Sequence, residues 1–307
     1  MPVKQMPSLK SRIVRYILKR KIAQVDPNES REAKRARYEA MAAKFPLPKG
    51  VTVEAAHVGG RYAEWLRPVD SANDRAILYL HGGAYTVGSC NTHRALAMRI
   101  GVASATPVLL LDYRLAPEHP FPAALDDTLA AFGELISVQG IAPGRIAVIG
   151  DSAGGGLALS LTVRLRDEGT PLPAAVVCLS PWTDLELANE SVINRAKHDI
   201  FFPTTEGLRN SAALYAGKMP LRYPYISPIH ASMHGLPPLM IQVGDDEILL
   251  DDSRVLVQRA RAAGVDVSLS VWKGMWHVWH VFAPTCREAN EAIRDIGTFV
   301  RQRLSQP

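Results

Sequence analysis

The sequence predicts an α/β fold in which a mostly parallel, eight-stranded sheet carries helices on both faces. Short apolar runs alternate with helical patterns from about residue 76 onward, as in parallel sheets whose strands are joined by helices. One of these runs leads into a glycine-rich turn, Gly150–Gly154, after which a helical pattern begins. The chain has 307 residues, 47% of them hydrophobic, and is long enough to bury both faces of such a sheet.

The predicted elements follow a simple order along the chain. Two helices, at about 9–24 and 29–44, come first, and an antiparallel hairpin with a Gly59-Gly60 turn comes next. The eight strands are predicted at 52–58, 61–67, 76–80, 108–113, 146–149, 175–179, 239–243 and 267–272. The later helices are predicted at 94–104, 122–139, 155–168, 206–216, 251–263 and 285–304.

One long segment interrupts the alternation of strands and helices. About fifty residues between Trp182 and Pro237 contain aromatic residues, prolines and one helical pattern, but no convincing strand. Insertions of this length in α/β enzymes usually form a lid over the functional site. We therefore expect a lid at about 183–236.

The net charge of +5 is concentrated near the N-terminus. Residues 1–40 contain eleven Lys or Arg and four Asp or Glu. Such an arm is able to bind an acidic surface or anionic lipid. We favour a plainer interpretation, in which Leu9, Ile13, Ile17 and Leu18 form one apolar stripe and the opposite face is solvated.

Composition also predicts what the protein does not bind. An aromatic or glycine-rich nucleic-acid signature is absent, and no 18-residue apolar run predicts a membrane span. Cys90, Cys178 and Cys286 are scattered, which argues against a disulfide framework or a zinc cluster. We therefore expect no metal and no cofactor. We also expect a cytoplasmic location, because the N-terminus lacks the apolar region of a secretory signal.

The segment Gly-Asp-Ser-Ala-Gly at 150–154 makes Ser152 the candidate nucleophile. A serine at a sharp strand-to-helix turn is held away from both elements, and the flanking glycines permit the close approach of the backbone. The alternatives are a connection with an incidental serine and a phosphate-binding loop. The phosphate loop is disfavoured because neither G-x-G-x-x-G nor a P-loop lysine is present.

A serine hydroxyl needs a base to remove its proton and an acid to hold that base. In enzymes with a nucleophilic serine at this kind of turn, the acid comes after the serine in the sequence, and the histidine comes after the acid. Asp245, Asp246 and Glu247 come after the predicted strand 239–243, and two histidines, His277 and His280, come after the next strand. Both loops lie at the carboxyl edge of the predicted sheet, where ligand sites form.

Backbone N–H groups that stabilise an oxyanion are predicted after the strand at 76–80. The sequence His-Gly-Gly-Ala-Tyr at 81–85 offers such donors in Gly82, Gly83 and Ala84. Ala153, directly after the candidate nucleophile, offers another. We interpret His81 as structural, because it precedes Ser152 and does not fit the expected order.

With these motifs the chain resembles the hormone-sensitive-lipase-like family of α/β hydrolases, the bacterial family IV esterases. The resemblance extends over about residues 75–280. It rests on H-G-G-A-Y at 81–85, D-Y-R-L-A-P-E-H-P-F-P-A-A at 112–124, G-D-S-A-G at 150–154, S-P-W-T-D at 180–184 and D-E-I-L-L-D at 246–251. It implies an α/β-hydrolase domain at 47–307 and a helical cap built from residues 1–46 and the insertion.

The resemblance also assigns the acid and the base. The family acid is followed by Pro-Leu-x-Asp, and aligning the last residue of that pattern on Asp251 puts Glu247 in the acid position. Asp246 remains the alternative acid. His277 matches the family histidine, with His280 as the alternative. Ala84 replaces the usual third glycine of the oxyanion loop but still offers an N–H group.

The sequence thus predicts a serine carboxylesterase for small, short- to medium-acyl esters or lactones, acting through an acyl-enzyme. Amide or deacetylase activity on the same triad is an alternative. A non-catalytic binding protein is another, since plant gibberellin receptors resemble this family but lack the triad histidine. The presence of His277 argues against that alternative. The expected partner is a small ester, and a homodimer is left open.

Overall fold

The computed structural model describes residues 3–4, 6–26 and 29–305, with side chains from residue 6 onward. Within these ranges one sheet of nine strands has the order β1-β9-β8-β7-β6-β4-β5-β3-β2. The strands are β1 Val3–Lys4, β2 Val51–Val58, β3 Arg61–Pro68, β4 Ala76–Leu80, β5 Val108–Leu111, β6 Ile146–Asp151, β7 Ala175–Leu179, β8 Leu239–Gly244 and β9 Val267–Trp272. All pairs are parallel except β2–β3 and β3–β5.

The predicted fold class is confirmed, and each of the eight predicted strands is present. The additional strand, β1, pairs with β9 at the edge of the sheet. Two residues are too few to show an alternating pattern in the sequence, so this strand had no signal.

Helices cover both faces of the sheet. They are α1 Leu9–Ile22, α2 Arg31–Ala42, α3 Cys90–Ser104, α4 Ala123–Ser137, α5 Ala153–Asp167, α6 Ser191–Asn194, α7 Glu206–Ala216, α8 Leu250–Ala262 and α9 Arg287–Leu304. The short α6 was not predicted. The helix α3 begins before the predicted residue 94 because Ser89 and Thr92 form a reciprocal capping box. In the part of the chain that is described, no helix has the length and apolarity required to cross a bilayer.

Strand β4 shows how the two faces are buried. Leu78 and Leu80 point into one apolar cluster, which also contains residues of α4, α5 and α8. Ile77 and Tyr79 alternate with them and point into the second cluster, with residues of α3 and α9. All four side chains are fully buried, so β4 reads in the sequence as a continuous apolar run.

The orientation predicted for the first helix is wrong. Leu9, Ile13 and Ile17 are 69%, 50% and 46% exposed, whereas Val14 and Leu18 pack against the apolar cluster next to α9. Polar contacts fix this rotation. The hydroxyl of Ser11 donates to the Glu288 carboxylate at 2.5 Å, and the Ser8 N–H donates to the same carboxylate at 2.5 Å. Three of the four residues of the predicted stripe therefore face solvent, and only Leu18 faces the core.

The hairpin turn offers a stability test with a matched control. Gly59 and Gly60 both have left-handed φ values, 61° and 73°. A Cβ on Gly59 would lie 2.6 Å from the Ala131 nitrogen of α4, whereas a Cβ on Gly60 would have no described atom within 4 Å. The two glycines therefore share backbone strain but differ in packing.

We expect Gly60→Ala to lower the free energy of unfolding by about 1–2 kcal/mol, the cost of the left-handed conformation. Gly59→Ala should lower it by about 1–3 kcal/mol more, because the methyl group must displace α4. Urea unfolding of both variants measures the difference. Equal losses for the two variants would contradict the close packing of the turn on α4.

Candidate active site

Ser152 lies at a strained turn between β6 and α5. Its φ and ψ are 54° and −123°, a conformation that residues with a side chain rarely adopt. The Ser152 N–H donates to the Leu179 carbonyl at 2.8 Å, which holds the turn against β7. A Cβ on Gly150 would lie 2.2 Å from the Gly154 oxygen, and one on Gly154 would lie 2.0 Å from the Leu80 oxygen. Both glycines are therefore required by the close backbone contacts.

The structure brings Ser152, His277 and Glu247 into one chain of contacts. His277 Nε2 lies 2.9 Å from Ser152 Oγ, and His277 Nδ1 lies 2.8 Å from Glu247 Oε2. Glu247 is fully buried, whereas Ser152 and His277 are 7% and 9% exposed. The three side chains predicted as nucleophile, base and acid therefore lie together, and their roles stay a prediction.

The second carboxylate oxygen of Glu247 is also fully engaged. Oε1 accepts from the Ser180 hydroxyl at 2.7 Å and from the Gly244 N–H at 2.6 Å. Ser180 Oγ in turn accepts from the Val278 N–H at 3.2 Å, next to His277. Ser180 was not singled out from the sequence, although it opens the S-P-W-T-D motif. Its hydroxyl links the acid to the loop of the histidine.

The two alternative site residues lie elsewhere. The Asp246 carboxylate binds the Arg15 guanidinium of α1 instead of His277. His280 Nε2 lies 2.8 Å from Gln242 Oε1 below the sheet edge, and burial lowers the pKa of His280 to about 3. Neither residue contacts Ser152 in the described part of the chain.

The charge state of His277 is set by two opposing effects. Burial lowers the pKa of His277, but the hydrogen bond to Glu247 and the negative charge of that carboxylate outweigh burial, so the pKa is raised. Asp199, which is also buried, adds to the raising effect. Protonation of His277 is thus stabilised where it would form during proton transfer.

Asp199 is a further residue that sequence reasoning missed. Its Oδ1 accepts from the N–H groups of Phe201 and Phe202 at 2.8 and 3.0 Å, and its Oδ2 accepts from the Ile248 N–H at 2.9 Å. The Phe202 ring packs edge-on against His277, with ring centres 5.0 Å apart. Asp199 therefore holds the insertion beside the acid and the histidine.

The loop after β4 has three consecutive residues with positive φ: Gly83 at 118°, Ala84 at 51° and Tyr85 at 60°. Such a run turns successive N–H groups toward one side of the loop. The loop is held from below, because the Tyr113 hydroxyl donates to the His81 carbonyl at 2.6 Å. The ring of His81 stacks on Tyr113, and burial lowers the pKa of His81 to about 3.

The prediction of Gly82 as an oxyanion donor needs correction. Its N–H donates to the buried Asp151 carboxylate at 3.2 Å and is therefore occupied. By contrast, the N–H groups of Gly83, Ala84 and Ala153 have no acceptor among the residues that the structure describes. Asp151 also accepts from the Tyr79 hydroxyl at 2.8 Å, so this carboxylate anchors the loop on β4 and β6.

One group of potential metal ligands lies apart from the triad residues. Among the described residues, Asp184, Glu186 and His230 place ligand atoms within 4.8 Å of one another. His230 Nε2 is 3.8 and 3.7 Å from the two carboxylates, and Glu186 also pairs with Arg222. The expectation that the protein needs no metal stays a prediction.

Comparisons with known proteins agree with this fold. A family model described as the α/β-hydrolase fold matches residues 77–281. An acetyl-hydrolase of Streptomyces hygroscopicus is 46% identical over 255 residues, which cover 83% of each chain. An esterase of Acinetobacter venetianus is 37% identical over 256 residues, covering 83% of this chain and 84% of that one.

Solved structures of esterases resemble this structure over nearly the whole chain. An esterase from the bacterial hormone-sensitive lipase family superimposes with a TM-score of 0.93 at 44% identity, covering 98% of this chain and 100% of that one. The esterase EstE5, in a crystal soaked with p-nitrophenyl butyrate, gives a TM-score of 0.92 at 42% identity and covers 97% and 100%.

The fold and the family match define the protein as an α/β hydrolase. Within that class, the chain belongs to the hormone-sensitive-lipase-like family of bacterial esterases, as its motifs predicted. It is a carboxylic ester hydrolase.

The pKa of His277 can be tested directly. Glu247→Gln should lower the pKa of His277, because the neutral amide removes the negative charge that raises this pKa. The burial that lowers the pKa stays the same. Asp246→Asn is the control and should leave it unchanged, since Asp246 binds Arg15. NMR titration of the His277 imidazole measures both. A shift in the control with none in Glu247→Gln would make Asp246 the partner of His277.

Proposed function

We propose that this hydrolase cleaves small, short- to medium-acyl carboxylic esters, lactones included, through an acyl-enzyme on Ser152. The observation that carries the proposal is the unbroken chain of contacts from Ser152 through His277 to the buried Glu247. Its parts have the residue types and separations that nucleophilic acyl transfer needs.

The proposed steps follow from the geometry. Glu247 accepts the Nδ1–H of His277, which leaves the Nε2 lone pair facing the Ser152 hydroxyl. Ser152 Oγ attacks the acyl carbon while His277 takes its proton. His277 then gives that proton to the leaving alkoxide, and the ester C–O bond breaks. Water, deprotonated by His277, attacks the acyl-enzyme and releases the carboxylic acid and Ser152.

Three backbone N–H groups are proposed to stabilise the negative charge that develops on the carbonyl oxygen. Gly83 and Ala84 of the loop after β4, together with Ala153 at the start of α5, have unoccupied donors within the described chain. The contact of Gly154 with the Leu80 carbonyl keeps that loop close to the Ser152 turn. Donors fixed in advance stabilise the developing oxyanion without reorganisation.

Residues 1–46 and about 183–236 are proposed to form the cap. From the first segment, Arg35 of α2 donates to the Thr86 carbonyl at 2.9 Å and pairs with Glu118. From the second, Tyr215 of α7 stacks on Tyr85 with ring centres 3.7 Å apart. Both segments therefore contact the loop after β4. We also propose a cytoplasmic location, which suits three cysteines that are free and buried.

Short acyl groups are favoured by the aromatic surroundings of the triad. The Phe202 ring lies against His277 with ring centres 5.0 Å apart, and we propose that it limits the space for the acyl chain. The similarity to an acetyl-hydrolase and to an esterase soaked with a butyrate ester supports the same substrate class.

The mechanism is tested with p-nitrophenyl butyrate. Ser152→Ala should lower kcat by about a millionfold, since the nucleophile is lost. Glu247→Gln should lower it by up to about ten-thousandfold, because the amide favours the wrong tautomer of the histidine. Asp246→Asn is the matched control and should stay within about tenfold of wild type.

Circular dichroism checks that each of these variants is folded. A folded Ser152→Ala protein that retained a tenth of the wild-type kcat would exclude the acyl-enzyme on Ser152. A severe loss of kcat in Asp246→Asn, together with a kcat near that of wild type in Glu247→Gln, would make Asp246 the acid.

The proposed role of Phe202 in acyl-chain preference is tested with substitutions of two neighbouring phenylalanines. Phe202→Ala should shift the preference toward longer acyl chains, because it removes the ring beside His277. Phe201→Ala is the control, since that side chain packs with the other apolar cluster. A panel of p-nitrophenyl esters of increasing acyl length measures kcat/KM. An unchanged profile in Phe202→Ala, or the same shift in both variants, would refute the role of Phe202.

A further inference from the structure

Helix α1 presents an apolar surface to solvent. Leu9, Ile13, Tyr16 and Ile17 are between 46% and 69% exposed. At about 100° per residue these four positions fall on one side of the helix, and we refer to them as the α1 stripe. Met6, directly before the helix, is 68% exposed as well. Clustered large apolar side chains in water mark an interaction surface.

Basic residues line both edges of the α1 stripe. On the helical wheel, Lys10 and Lys21 follow one edge and Arg12 and Lys19 follow the other. These four side chains are exposed. The first 25 residues of the chain contain seven Lys or Arg and no Asp or Glu. The surface is therefore apolar along most of its centre, with Arg20 over the Tyr16 ring at its C-terminal end, and it is positive at both edges.

The described residues leave this surface uncovered and hold the helix so that the stripe stays outward. On the opposite side of α1, Ser11 is fully buried against Glu288, and Arg15 donates to the Gly274 carbonyl at 3.3 Å and to Asp246. Val14 and Leu18 pack against the core between these polar contacts. Turning the stripe inward would break all of them.

We propose that the α1 stripe docks on the surface of an anionic phospholipid bilayer. The helix would lie in the plane of the interface, with Leu9, Ile13 and Ile17 among the upper acyl chains and the basic edges at the phosphates. Both parts contribute to the affinity, because burial of apolar area and attraction to anionic lipid add in interfacial helices. A helix of 14 residues with two apolar sides is suited to lie on a bilayer while remaining bound to its own domain.

The charge pattern argues against the other occupants of such a surface. A second copy of the chain, docked stripe to stripe, would place positive edges against positive edges with no acidic residue between them. A nucleic acid would satisfy the basic edges but leave the apolar centre in contact with polar phosphates. Only the bilayer matches both features.

The experiment uses the full-length protein and sedimentation with vesicles. Wild type should bind vesicles of phosphatidylcholine containing about one-quarter phosphatidylglycerol, bind pure phosphatidylcholine vesicles at least about tenfold more weakly, and dissociate at high salt. The triple variant Lys10→Gln, Lys19→Gln, Lys21→Gln should bind the anionic vesicles at least about tenfold more weakly, since each charge contributes roughly fivefold. The triple variant Leu9→Ser, Ile13→Ser, Ile17→Ser should also lose binding.

Each triple variant has a control in which three side chains of the same kind, basic or apolar, are replaced elsewhere on the surface. Lys218→Gln, Arg254→Gln, Arg287→Gln removes three other positive charges. Val69→Ser, Val138→Ser, Ile193→Ser removes three apolar side chains that are 74%, 70% and 81% exposed. Both controls should bind like wild type. The charge variant alters only exposed side chains, so it tests the proposal even if the apolar variant is unstable by thermal unfolding.

Three results would overturn the proposal. The first is a wild-type protein that does not bind the anionic vesicles. The second is a control variant that loses as much binding as its α1 counterpart. The third is a wild-type dimer in gel filtration that the apolar variant converts to a monomer, which would make a second copy the occupant.

Discussion

The hydrogen bonding of the buried Glu247 carboxylate is the constraint on which the site depends. A buried charge is costly unless its lone pairs are satisfied, and Glu247 receives donors from Ser180, Gly244 and His277. Gly244 ends β8, whereas Ser180 follows β7 and His277 follows β9, and these three strands are parallel neighbours in the sheet. The register of the sheet therefore brings Glu247 and His277 together, and the cost of burying the carboxylate is offset only when all three strand ends are in place.

A second constraint concerns the backbone between β4 and β6. These strands pair directly, so the loop after β4 and the turn at Ser152 leave the sheet side by side. Positive φ values at Ser152, Ala84 and Tyr85 are unfavourable by themselves. They persist because Asp151, Tyr113 and the close contact of Gly154 fix the surroundings. The strain lies at and beside the N–H groups that we propose to bind the oxyanion.

Local sequence patterns were sufficient for eight of the nine described strands and for the turn at Ser152. Apolar runs and glycines are properties of a few adjacent residues, and those predictions needed nothing else. The choice of Glu247 and His277 also needed the family resemblance. The orientation of α1 was not predictable in this way, because the helix has apolar residues on two sides and its rotation depends on Glu288 at the other end of the chain. The roles of Ser180, Asp199 and Gly82 likewise depend on contacts between distant segments.

Arg15 joins the first helix to the loop that carries Glu247. Its guanidinium contacts Asp246 and the Gly274 carbonyl, on the loops that carry Glu247 and precede His277, and it donates to the His198 carbonyl of the insertion at 2.9 Å. The N-terminal segment is therefore not an interchangeable module. A chimera that took this segment from another esterase would also need matching residues in both loops and in α9, so the segment and the catalytic edge are constrained to evolve together.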